Sequence, residues 1–268
     1  MIDELSTIID THAHLYDVPD VAAALRAASD AGVSDIILPG VDLVSNRRHC
    51  ELRAKHTGGL QPRLHLALGL HPGNIIPDEI EPCFSFMRAH AGEAVAIGET
   101  GLDFFYKWVR KDDTKKDEQR AVFGRHLELA REFNLPVIVH CRGAWREALD
   151  MVKAAGISAA DFHWYSGPED VLKDILDAGF VISCSPALEY SAEVRKAALY
   201  APLESILVET DTPVMIPGPA RERVPSTPKD VWRTLRALAA LKGVDEAVAL
   251  KGANALARSF FHLPDFEG

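Results

Sequence analysis

The chain carries only four cysteines in 268 residues, Cys50, Cys83, Cys141 and Cys184, and none forms a CxxC pair. That scarcity argues against a disulfide framework or a structural zinc knuckle and favours a reducing, cytoplasmic setting. Long apolar runs are also missing: no stretch approaches the roughly 18 residues needed to span a bilayer. The opening MIDELSTIID has neither the basic start nor the cleavage signature of a secretory signal. Positive charge is in deficit, with 29 Lys and Arg against 39 Asp and Glu, a net charge of −10. Tight, extended coating of nucleic acid depends on lysine and arginine, so any phosphate binding here is expected to be weak, local and salt-sensitive. The densest basic stretch covers residues 107–120, with Lys107, Arg110, Lys111, Lys115, Lys116 and Arg120. It reads either as a local basic approach to a site or as a solvated loop and helix start. There is no GxSxG elbow and no P-loop.

What is present is a regular alternation. Short apolar runs at 7–11, 35–38, 64–69, 94–98, 137–139, 160–162, 180–183 and 206–208 have the composition of buried strands. Amphipathic patterns at 21–31, 117–133, 146–155, 169–178 and 191–198 separate them, and two more at 229–241 and 244–260 follow the last. DAG at 30–32 and 177–179 places glycine where a helix C-terminus favours it. NLP at 134–136 stops a helix before a strand. Eight strands alternating with helices predict a parallel α/β sheet, and a single (β/α)8 TIM barrel spanning residues 1–268 as one domain accounts for all of them. The irregular segments 103–114 and 213–227 follow strands and belong to the face where such barrels place their sites.

Six residues with metal-ligating chemistry sit where these runs end. They are His12 and His14 in DTHAHL, Glu99 in GETGLD, His140 in VIVHCR, His163 in DFHWYSG and Asp211 in VETDTP. Each alone reads equally well as a packing histidine, a turn acid or a helix cap. Together they leave strands 1, 4, 5, 6 and 8, and the C-terminal strand ends are where barrel enzymes collect catalytic groups. His12 and His14, two apart on an extended chain, point to one face, and Asp10 shares it as a supporting carboxylate. Glu99 has the chemistry to bridge two cations. Asp211 can bind a cation and take a proton from water. His71 in GLHPG and Arg142 beside His140 are candidate substrate contacts. Tyr106, Trp164 and Tyr165 are candidates for stacking on bases. Cys141 follows His140 directly and so faces the other side of its strand, which removes it as a nucleophile paired with that histidine.

With DTHAHL, GLHPG, GETGLDFF, LPVIVHCR, HWYSG, ETDTP and the closing GANALARSFF in this order, the chain resembles the TatD family of metal-dependent hydrolases in the amidohydrolase superfamily. The resemblance implies a TIM barrel with one or two divalent cations (Zn, Mn, Mg or Fe). It implies one cation held by His12, His14 and Asp211, a second by His140 and His163, and Glu99 between them. It further implies hydrolysis of phosphodiesters, as a DNase or 3′–5′ exonuclease, with Asp211 and Glu99 as the catalytic acids and DNA or another phosphodiester as partner. No membrane association and no obligate protein partner are expected. An enzyme cleaving an amide, ester or lactone of a small substrate is the alternative, since a Lewis acid polarises carbonyl and phosphoryl oxygen alike. Two departures bear on substrate preference: Gly143 stands where the family often has Asp, and HWYSG replaces the commoner HxFSG.

Overall fold

The computed structural model describes residues 7–56, 62–218, 220 and 222–264. The first six residues, which carry part of the signal-peptide reading, lie outside them. The described residues form the strands β1 (Ile8–Asp10), β2 (Val33–Pro39), β3 (Arg63–Leu68), β4 (Ala94–Asp103), β5 (Val137–Arg142), β6 (Ala160–Phe162), β7 (Val181–Cys184), β8 (Ile206–Val208), β9 (Met215–Pro217) and β10 (Arg223–Pro225). The first eight form one sheet in the order β1 to β8, the (β/α)8 barrel that the alternation predicts. The described helices are α1 (Val21–Asp30), α2 (Leu43–Lys55), α3 (Pro77–His90), α4 (Asp113–Phe133), α5 (Trp145–Ala154), α6 (Glu169–Asp177), α7 (Ala192–Tyr200), α8 (Val231–Lys242) and α9 (Glu246–Phe261).

The expected strands all form, with corrections at their ends. β4 does not stop at Gly98 but runs on to Asp103, and β5 runs past His140 to Arg142. Segment 213–227, expected to be irregular, contains the antiparallel pair β9–β10. Helix ends follow local chemistry. Asp20, Asp112, Ser191 and Asp245 accept backbone N–H bonds at the starts of α1, α4, α7 and α9. Asn134 closes α4 in the left-handed conformation, and both DAG glycines have positive φ as expected. Among the described residues no helix is long and apolar enough to cross a membrane.

The chain divides into two compact units. The first comprises Met1–Leu38, Glu51–His65 and Ser183–Gly268. In it the first and last barrel strands are neighbours: Thr11 N–H donates to Val208 O, His14 N–H donates to Thr212 O, and Ala13 and Thr212 form a parallel bridge. Asp35, fully buried, accepts two bonds from Arg63 at 2.7 and 3.0 Å and one from His65 at 2.7 Å. Burial pushes this carboxyl up, but the histidine and arginine bonds outweigh it and hold the pKa at about 2. Asn254 of α9 donates to Thr7 O and accepts from Ile9 N, pinning β1 to the closing helix.

The second unit comprises Pro39–Cys50 and Leu66–Ile182. Its strands β4, β5 and β6 pair in parallel, and β4 carries a bulge: Ile97 faces Val137, then Thr100 faces Val139, so β4 spends one extra residue around Gly98 and Glu99. Asn46 of α2 clamps the backbone of Gly69, donating to its O at 2.7 Å and accepting from its N at 3.2 Å. His126 of α4 is buried, its Nδ1–H donating to Val122 O and its Nε2 accepting from Leu70 N–H. Accepting at Nε2 requires the neutral ring, and burial lowers its pKa from 6.5 to about 4.

A pH dependence follows. Between pH 6.5 and 4 the unfolded chain holds a proton on this histidine that the folded chain refuses. Stability is therefore full above pH 6.5 and falls as pH falls toward 4. Going from pH 7 to pH 5 costs about 2 kcal/mol from this residue. His126→Gln, which keeps a donor and an acceptor, should flatten the urea-midpoint difference between these pH values by that amount. An unchanged difference would contradict the neutral ring.

Candidate metal centre

In the first unit, β1 and β8 deliver three donors. His12 and His14 leave β1 and bring their Nε2 atoms to 3.2 Å of each other. Asp211, two residues beyond Glu209 after β8, places Oδ1 at 3.6 Å from His12 Nε2 and 3.3 Å from His14 Nε2. Asp211 has φ 51°, a left-handed conformation that asparagine and aspartate tolerate better than most residues. Asp10 holds the two strand exits together. Its fully buried carboxyl accepts from Thr210 Oγ1 at 2.7 Å, Thr210 N at 3.0 Å and His12 N at 3.3 Å. Burial raises its pKa well above the ordinary carboxylate value despite these bonds. Asp10 thus meets His12 through its backbone N–H. Glu209, which the sequence reading passed over, is fully buried and accepts from Ser183 Oγ at 2.6 Å. Its signal was its place directly after the apolar run 206–208, two residues before Asp211.

In the second unit the bulge in β4 aims Glu99 at three imidazoles. Oε1 lies 2.9 Å from His140 Nδ1, 3.3 Å from His163 Nε2 and 3.6 Å from His71 Nε2. Glu99 is 4% exposed. The backbone here admits no side chain on its neighbours. A Cβ on Gly69 would lie 2.4–2.5 Å from the backbone of Gly98 and Glu99, and one on Gly101 would lie 2.0 Å from His140 O. Glu99 and His140 therefore sit inside strands, where the sequence placed them just past strand ends.

Asp103 is the second residue that the sequence reading missed, although it closes the GETGLD motif. It is fully buried, and its Oδ2 accepts from His140 Nε2 at 3.0 Å while Oδ1 accepts from Phe105 N at 2.9 Å. Burial would raise this carboxyl, but the bond from His140 leads the interactions that hold it below its ordinary value. Burial likewise pulls His140 down, and Asp103 and Glu99 together leave its pKa raised. A carboxylate behind a ligating imidazole fixes the ring and its tautomer, the usual support of a metal histidine. His71 is arranged differently. Its Nδ1 accepts from Gly73 N–H at 2.9 Å, so the neutral ring carries its proton on Nε2, toward Glu99. His71 is a donor to Glu99 or to an anion, not a lone-pair ligand.

The remaining candidates surround this cluster. Arg142 reaches Asp103 at 3.4 Å and lies over the rings of Phe105 (4.9 Å) and Tyr106 (5.6 Å). Tyr106 stacks on Trp108, and Trp164 meets His163 edge-on. Tyr165 is corrected: it is fully buried against Trp145 with its hydroxyl donating to Pro168 O at 2.7 Å, so it cannot stack on a base. The tyrosine of HWYSG thus has a structural partner. Three of the six residues of the basic stretch are paired with acids. Lys115, Lys116 and Arg120 pair with Glu118, Asp113 and the acids Asp117 and Glu147. Cys141 is buried, and burial pushes its thiol far up, consistent with its exclusion as a nucleophile.

The donor chemistry fits divalent cations. Nitrogen ligands at about 2.0–2.1 Å from zinc in a tetrahedron stand about 3.3–3.4 Å apart. The separations of 3.2–3.6 Å in the first unit and 2.9–3.3 Å between Glu99 and its two histidines are of that size.

A barrel with clustered imidazoles and carboxylates at its strand exits is the architecture of a metal-dependent hydrolase, and the comparisons with known proteins specify which. The profile of the family described as TatD related DNase matches residues 9–262, and the chain belongs to this family. It is 32% identical over 257 residues to the uncharacterized metal-dependent hydrolase YcfH of Escherichia coli K12, covering 88% of this chain and 89% of that one. It is 28% identical to the human deoxyribonuclease TATDN3, covering 93% of each. The crystal structure of YJJV, a TatD homolog from Escherichia coli K12, superposes with a TM-score of 0.84 at 27% identity, covering 97% of this chain and all of that one.

Replacing Asp103 with Asn should weaken cation binding by about 10–100-fold, the usual cost of losing a carboxylate behind a metal histidine. Competition titration with a chromogenic chelator reads this, and wild-type affinity in D103N would show that Asp103 only shapes the loop.

Proposed function

We propose that this chain is a divalent-metal-dependent deoxyribonuclease that removes nucleotides from 3′ ends, with residues 1–268 as one catalytic domain. The observation that carries the reading is the pair of converging donor sets, each built on a carboxylate oxygen facing two imidazole nitrogens. Membership of the TatD family and the name of the human relative support DNA as substrate. His12, His14 and Asp211 would hold one cation, His140 and His163 a second, and Glu99 would be shared. Imidazole with carboxylate suits zinc, manganese or iron better than magnesium. The free cysteines agree with a cytoplasmic setting.

Bound cations supply positive charge that polarises the phosphoryl group and acidifies water. The protein supplies the proton path and the positioning. Asp211 accepts the proton of the attacking water as its oxygen adds to phosphorus. The bond from phosphorus to the 3′ oxygen breaks, and Asp211 returns the proton to that leaving oxygen. His71, with its proton on Nε2, offers a donor to Glu99 or to a phosphate oxygen. Arg142 adds a guanidinium to the same surroundings, suited to a phosphate. The acidic surface keeps DNA binding weak and local.

The test is metal-stripped protein incubated with end-labelled single-stranded DNA, with manganese, zinc or magnesium restored and Asp211→Asn alongside. Stepwise loss of 3′ nucleotides that requires metal and falls by at least about 100-fold in D211N is the expected result. Metal-loaded protein that leaves DNA intact, or D211N with near-normal turnover, would overturn it.

A further inference from the structure

Just beyond His140 and His163 the second unit carries a cleft of about 560 Å³ that the metal-centred chemistry does not use. Its lining includes Phe105, Arg142, Gly143, Trp145, Ser166 and Pro168. These residues follow Asp103, His140 and His163 by two to five positions, so the cleft adjoins the cluster around Glu99. Its lining is mainly apolar and includes the rings of Phe105 and Trp145, with Arg142 and Ser166 as polar groups. Phe105 is 62% exposed, and the Arg142 guanidinium lies 4.9 Å from its ring. A large aromatic left in water beside a guanidinium is a platform for a second planar ring, since stacking and cation–π attraction both remain available on its open face.

Gly143 keeps the cleft open. It has φ +74°, and a Cβ there would meet nothing closer than 3.7 Å, the backbone of Phe104 and Phe105. There is space for a side chain, although the positive φ strains most residues and aspartate less than others. Glycine is thus favoured here by its backbone angle and not by crowding. An aspartate at this position would add a carboxylate to the cleft lining, beside Arg142.

We propose that this cleft is a nucleobase subsite, holding the base of the terminal nucleotide next to the reacting phosphate, and that Gly143 is what opens it. This deepens the nuclease reading and rests on it for the identity of the occupant. A nucleotide needs a flat apolar slot, a cation near its phosphate side and polar edges for the base, and the cleft offers all three. Its volume falls within the range of small-molecule sites.

The test measures binding, so its outcome does not depend on turnover. Deoxyadenosine 5′-monophosphate and 2-deoxyribose 5-phosphate are titrated separately into the metal-loaded enzyme by calorimetry. Wild type should bind the nucleotide at least about fivefold more tightly than the base-free sugar phosphate, the lower bound for one stacked base. Phe105→Ala and Gly143→Asp should each shrink that preference toward unity. Thermal melting shows whether either variant is misfolded, and one folded variant suffices. Equal binding of the two ligands by wild type would overturn the proposal, as would a preference intact in both variants. Base preference without DNA cleavage would leave the subsite standing and remove only the nuclease reading.

Discussion

The second unit depends on one buried carboxylate. Glu99 sits almost out of water with the ring nitrogens of His140 and His163 within 3.3 Å of one oxygen and that of His71 at 3.6 Å. A carboxylate taken from water is costly unless its charge is compensated. Compensation here comes from imidazoles whose own positions are fixed from behind. Asp103 holds His140, and the Gly73 N–H sets the proton of His71. The backbone serves the same end. The bulge in β4 turns Glu99 out of the strand's regular alternation, and Gly69 gives its neighbour the room to approach. Asn46 of α2 then locks Gly69 in place. Helix, strand and loop are in this sense arranged around where one oxygen must be.

The first unit solves a matching problem with different parts. Two imidazole nitrogens 3.2 Å apart with a carboxylate oxygen nearby form a set whose lone pairs converge. Asp10 crosses between the two strand exits and fixes their spacing through the backbone of His12 and Thr210. Both units thus combine rigid strand ends with carboxylates that hold the ligand-bearing chain, and both donor sets have the spacing a small divalent ion requires.

Much of this was legible in the sequence, because it rests on local rules. Continuous apolar runs located all eight barrel strands, and the six donor residues could be read as one set because each stands at or near the end of such a run. The corrections have physical causes. Gly98 read as the end of a strand, whereas a glycine inside a strand also marks a bulge, and this one does. Helix α2 escaped notice because its buried positions include the polar Ser45, Asn46 and His49, so no apolar stripe marks it. Helix α3 begins at Pro77 and contains Pro82, which reads as an interruption. Asp103 acts from behind His140, and no spacing rule separates such a residue from ordinary strand-end acids. Tyr165 is a stacking candidate in the sequence only as one of the aromatic residues of HWYSG. The packing against Trp145 removes it.

The central claim is that each unit's donor set holds a cation, and counting metal by mass spectrometry after equilibrium dialysis tests it most directly. The account predicts two zinc or manganese ions per wild-type chain. It predicts one ion after His12→Ala with His14→Ala, one after His140→Ala with His163→Ala, and weakened retention of one in Glu99→Gln. A wild-type chain that retains no cation, or a second site that survives loss of both His140 and His163, would contradict it.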